Sequence, residues 1–275
     1  MSKLPQIILV LGCVCTLFFA GCSKKETMGV DNETQSVVDY AIVDQEFLAI
    51  VPTIYQSVLQ AVYTGSVAPI CGLQEVSKNT ADTMWNAIYS LNVSNIDCPL
   101  AMPDGKARTG KLIMRLIVHE LTNLQIVAKL ENYQASGIVY SCDSMVLTTK
   151  VSNSSFKSYN VNLVNGACKT GTVSIKYTFN RTITVYPNGD VNDSNPVVYA
   201  YGDARGTNRF GTNFSTSVVQ QTPLVKHKTC AYIDKGTMEL TPQGFKPRTI
   251  NFGDGVCDDE ATFTVNENTV AFKLK

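Results

Sequence analysis

Three pairs of cysteines at nearly equal spacing constrain the fold of this chain more than any other feature. Cys71 and Cys98 enclose 26 residues, Cys142 and Cys168 enclose 25, and Cys230 and Cys257 enclose 26. Each pair is followed by a turn bearing Lys or Asp and then an alternating apolar run, so the spacing reads as an internal repeat over 71–98, 142–168 and 230–257. Within each repeat the first cysteine is expected before one strand and the second after the next. An antiparallel hairpin then brings both to its open end, where a disulfide within the repeat can close. Closing such a loop restricts the unfolded chain by about 3 to 4 kcal/mol. Six cysteines allow 15 pairings, which spacing alone does not resolve, and free buried thiols are the alternative. No Cys-x-x-Cys or Cys-His spacing suited to zinc occurs.

Disulfides persist outside the reducing cytoplasm, and the N-terminus carries a matching address. A basic start at Lys3, a short apolar stretch and small residues before Cys22 form the pattern of a secretory signal. The apolar stretch is shorter than a spanning helix needs. Phe19-Ala20-Gly21-Cys22 resembles the lipobox of bacterial lipoproteins, with Phe19 where Leu is usual. That resemblance implies a signal peptide at 1–21, diacylglycerol on Cys22 and attachment to a membrane through lipid. Three acyl chains would hold where one holds only marginally. Ser23-Lys24-Lys25-Glu26 is similar to the charged tag of Bacteroidetes-type lipoproteins displayed on the outer face of the outer membrane. Cys13 and Cys15 leave with the signal, so six cysteines remain for the domain. Residues 22–33 read as a flexible tether.

A single β-rich domain is expected over 34–275, with a helix at 34–64 capped by Asn32 or Thr34. Ala41, Leu48, Val51, Tyr55, Val58 and Val62 recur at three- and four-residue spacing, a stripe that predicts packing on a sheet. Pro52 is expected to kink or split this helix. After Gly65 the period changes. Val173, Ile175, Tyr177 and Phe179 alternate with polar residues, as do Tyr159, Val161 and Leu163, then Phe263 and Val265, and Val270, Phe272 and Leu274. Turns such as Pro187-Asn188-Gly189 and Gly253-Asp254-Gly255 recur at hairpin spacing. The fold class is therefore mainly β, an antiparallel sheet domain, sandwich-like or an extended hairpin array, with one N-terminal helical segment.

Gly206-Thr207-Asn208-Arg209-Phe210-Gly211, the stretch from Ile233 to Leu240, and Pro247 through the Gly253-Asp254-Gly255-Val256-Cys257-Asp258 motif resemble uncharacterised Bacteroidetes-type lipoproteins. Asp104-Gly105-Lys106-Ala107-Arg108 also looks like theirs. The resemblance implies a β-rich envelope protein and brings no activity with it.

Candidate chemistry is sparse. Formal charge sums to zero, which implies no field for nucleic acid. Asp254, Asp258, Asp259 and Glu260 offer carboxylates to calcium, and Asp190, Asn192 and Ser194 have the early spacing of a calcium loop. The second lacks the later Gly and Glu, so both read as turn chemistry, and no metal or other cofactor is expected. Lys226-His227-Lys228 reads as an exposed edge with no local carboxylate to orient the ring. Asp82-Thr83-Met84 and Asp143-Ser144-Met145 resemble the O-glycosylation signal of exported Bacteroidetes proteins, which would place glycan on Thr83 and Ser144. No catalytic residues emerge. The expected role is a lipid-anchored, surface-exposed structural or binding protein with a glycan or protein partner. A glycan-handling hydrolase using Asp or Glu and a soluble-ligand binder are the alternatives.

Overall fold

The computed structural model describes residues 31–64, 71–79, 85–94, 102–120, 123–153, 155–189 and 195–275. Among the described residues one helix, α1 (Gln35–Thr64), precedes fifteen strands. They are β1 (Leu73–Asn79), β2 (Trp85–Asn92), β3 (Arg108–Glu120), β4 (Asn123–Ala135), β5 (Ile138–Ser141), β6 (Ser144–Ser152), β7 (Lys157–Thr170) and β8 (Val173–Tyr186). Then come β9 (Val197–Thr207), β10 (Asn213–Val218), β11 (Leu224–His227), β12 (Lys235–Pro242), β13 (Arg248–Asp254), β14 (Glu260–Val265) and β15 (Asn268–Lys273). All pair into one antiparallel sheet whose order follows the chain. Two places in it are each shared by two short strands: β5 and β6 lie between β4 and β7, and β10 and β11 between β9 and β12. The hairpin array is thus realised as one continuous meander.

Alternation makes the strands. In β8, Ile175, Tyr177, Phe179, Ile183 and Val185 are buried while Lys176, Thr178 and Asn180 are exposed. The last strand departs from expectation, because Val270 and most of β15 are exposed along the edge of the sheet.

The helix departs further. Every residue from Asp39 to Val51 is buried, so α1 does not lie on a sheet by one stripe but is enclosed. Lengths agree with this. Thirty helical residues rise about 45 Å, and the fourteen residues of β7 or β8 span about 46 Å. Pro52 lies inside one unbroken helix and does not split it. Aromatic rings of the sheet close on the helix: Tyr177 stands edge-on to Tyr40 at 5.9 Å, Tyr140 to Phe47 at 6.0 Å, and Tyr159 tilts against Tyr55 at 4.3 Å.

Enclosure buries the polar residues of α1 as well, and a buried charge needs a partner. The helix carries Asp39, Asp44 and Glu46 and neither Lys nor Arg. The sheet supplies the cations. Arg209 meets Asp39 through Nε at 2.8 Å and Nη2 at 2.6 Å. Arg181 Nη1 donates to Asp44 at 2.6 Å, and the hydroxyls of Tyr40 and Tyr177 donate to the same carboxylate at 2.5 Å. Arg108 grips Glu46 at 2.8 and 3.1 Å, and its other edge grips Asp104 at 2.5 and 2.8 Å. At the start of α1 the cap is Glu33, not the expected Asn32 or Thr34: its carboxylate accepts from the Ser36 amide at 2.8 Å. Asn208 and Arg209 of the Gly206–Gly211 stretch reach this helix end, so that motif is a latch, with Phe210 left exposed.

The cysteine pairs divide. Cys230 precedes β12, Cys257 follows β13, and they are bonded with Cα atoms 5.6 Å apart. Cys71 is also disulfide-bonded, while Cys98 lies outside the described residues. Cys142 and Cys168 are free thiols, against expectation. The reason is register. β7 runs on past its bulge between Leu163 and Gly166, so Cys168 sits inside the strand opposite Tyr140. Cys142, two residues beyond Tyr140, is then its diagonal neighbour, at about 7 to 8 Å, beyond ordinary disulfide reach. Cys22 and Thr83 lie outside the described residues, as do the Asp190, Asn192 and Ser194 positions.

Candidate functional site

Two places gather chemistry. The first is internal, where β11 meets the middle of α1. His227 Nδ1 lies 2.7 Å from an Asp234 carboxylate oxygen, so the ring that the sequence left without an orienting carboxylate has one, seven residues on. Burial raises the Asp234 carboxyl above its usual range, against the lowering by its hydrogen bonds to His227. Lys226 is buried, not an exposed edge. Its ammonium donates to the Cys230 carbonyl and lies 3.6 Å from Asp104, and burial pulls its pKa down to about 8. A His-Asp pair beside a buried lysine is a plausible start for proton transfer. The space between them, Leu48, Pro52 and Met102 is about 20 Å³, room for one water and no substrate. This cluster serves as packing.

The second place is the outer face of β8, β9, β10 and β12, with Asn165, Gly166 and Ala167 of β7 at its border. An open trough of about 840 Å³ runs across these strands and continues into a smaller hollow of about 190 Å³. Register lines up its walls. Lys176, Thr207 and Asn213 are cross-strand partners in one outward row, with Gln243 beside Asn213. Thr178, Arg205, Ser215 and Thr241 form the next row. Asn180, Asp203, Ser217 and Glu239 form the third, of which Asp203, Ser217 and Glu239 line the hollow. Between the first two rows the floor is the backbone of Tyr177, Gly206, Phe214 and Pro242.

Gly206 sets that floor. A Cβ there would meet Phe214 Cζ at 2.3 Å and the Lys176 carbonyl at 2.6 Å, so only glycine lets the Phe214 ring lie beneath the strand. Phe245 borders one end of the trough and is partly exposed. The wall amides are pre-set, since Thr207 donates to Asn213 at 2.8 Å and Asn213 to Gln243 at 3.1 Å.

Among the residues singled out from sequence, Ser144 is half-buried at the start of β6 and belongs to neither place. The Asp259 and Glu260 carboxylates bind Lys273 at 2.6 and 2.9 Å, and Asp258 accepts from the Glu260 amide. They close a turn, and among the described residues no cluster suited to a metal ion occurs. The trough was not singled out. Its only trace in the sequence is the Ser, Thr and Asn on the polar side of β8 and β10, which looks like any wetted face. No protein-family model, curated protein or solved structure matches this chain.

Proposed function

We propose that this chain is a lipid-anchored envelope protein whose β-domain, carried on a tether, holds a polyhydroxylated ligand such as a glycan chain in the outer trough without altering it. The trough carries the reading. Its volume lies in the range of ligand sites, its walls present amides and hydroxyls, and its floor is bare backbone that a flat sugar face can approach. The Cys230–Cys257 bond supports life outside the reducing cytoplasm, and Phe19-Ala20-Gly21-Cys22 supports the lipid. The test is capture of soluble polysaccharides by the full chain in detergent micelles. Ser215→Trp, which fills the trough from an exposed position, abolishes capture, and Val219→Trp outside it does not. Capture that survives Ser215→Trp sinks the assignment.

One observation favours a hydrolase as second reading. Asp203 and Glu239 flank Ser217 in the hollow, and two strand spacings separate their Cα atoms by about 9 to 10 Å. Inverting glycosidases place two carboxyls about 6.5 to 9.5 Å apart. Both residues are exposed, however, whereas a catalytic acid is withdrawn from water. New reducing ends released by the wild type, and lost in Glu239→Gln, would establish the hydrolase instead.

A further inference from the structure

The described residues lining the trough include two cations, Lys176 and Arg205, and no Asp or Glu. Lys176 pairs with Thr207, and Arg205 with Thr178, so the two cations are diagonal neighbours on one face of β8 and β9. Their bases are about 7 to 8 Å apart, close enough for two long side chains to converge on one anion. Among the described residues neither forms a salt bridge, whereas Arg108, Arg181 and Arg209 each end on a carboxylate. An anion from outside is the complement that this pair lacks. Asp203 and Glu239 lie in the adjoining hollow, which Arg205 also borders, and repel acidic groups from that end, so the ligand's anion is held on the Lys176 side of Arg205.

Building on the binding reading above, we infer that the trough takes an acidic sugar chain and seats one carboxylate or sulfate group between Lys176 and Arg205. A peptide is disfavoured because the floor strands are paired on both sides, leaving no ladder edge for a peptide backbone to join. Amide and hydroxyl walls suit sugar hydroxyls, with the guanidinium and ammonium supplying the charge-assisted contacts.

Calorimetry on the full chain in detergent tests this with four probes: a neutral glucan oligomer, a uronic acid oligomer and a sulfated oligomer of equal length, and an acidic peptide. The acidic oligomers are expected to bind, with affinity falling as salt rises. Lys176→Gln and Arg205→Gln each weaken that binding about tenfold or more, flatten its salt dependence and leave the melting temperature unchanged. A preference between the uronic and the sulfated probe identifies the anion. Equal binding of the neutral oligomer, or indifference of the acidic ones to both variants, overturns the acidic assignment, and the trough still stands if Ser215→Trp abolishes binding. Binding of the peptide in place of the sugars overturns the sugar. Binding of none of the four overturns the inference, and binding untouched by Ser215→Trp overturns the trough itself.

Discussion

Lys226 is a cation that the fold holds at a cost. It is buried beside the Cys230 carbonyl and Asp104, and burial, only partly offset by Asp104, draws its pKa from 10.5 to about 8. Between those values the unfolded chain keeps a proton that the folded chain has released, so stability rises with pH across the window and the full penalty applies below it. The shift corresponds to about 3 kcal/mol. Lys226→Met removes the penalty, so at pH 7 the variant is expected to be the more stable of the two. The gap should close as pH rises from 8 towards 10.5. Cys142 and Cys168, whose thiols burial pushes up to about 11 and about 12, act oppositely above pH 9, but equally in both proteins. Urea unfolding at a series of pH values measures the difference, and a gap that does not change with pH removes the account.

Hairpins that look alike in sequence behave differently at the level of the element. The hairpin of β12 and β13 closes a disulfide at its open end, whereas β7 carries Cys168 within its length and leaves two thiols apart. Alkylation without reductant should therefore mark Cys142 and Cys168 and spare Cys230 and Cys257. Because both thiols are at least partly buried and held protonated, the reaction should be slow in the folded chain and fast in urea, as peptide mapping will read. A Cys142–Cys168 peptide that resists alkylation would return the pairing expected from spacing. Strand identity was legible because alternation in β8 or β14 is local. The register of β7 was not, since it depends on a bulge at Asn165 and Gly166 that spacing between cysteines does not reveal. The enclosed helix was hidden for a related reason: Asp39, Asp44 and Glu46 look like a wet face until Arg209, Arg181 and Arg108, far along the chain, are brought to them. The trough was hidden most completely. Its walls are outward side chains of neighbouring strands, and only their register makes a site of them.

Across the whole molecule the helix is the core on which the sheet is wound. Apolar contact alone would let a helix slide or turn inside a curled sheet, because such contact has little direction. Three acid–arginine pairs, reaching α1 from β3, β8 and the turn after β9, fix its depth and rotation. Removing either partner of such a pair strands a buried charge, at about 3 to 5 kcal/mol. Deleting residues 31–64 takes the partner carboxylates from Arg181 and Arg209, leaves Arg108 with Asp104 alone, and opens to water the inner faces of Tyr140, Tyr159 and Tyr177, which pack against the helix. Together these losses are comparable with the 5 to 15 kcal/mol that holds ordinary domains together. The truncated chain is therefore expected to show no cooperative melting transition in calorimetry and to bind a hydrophobic dye, while the full chain melts in a single step. If the strands alone gave a sharp transition with little dye binding, the sheet would hold its curvature by itself, and the helix would be a passenger within it.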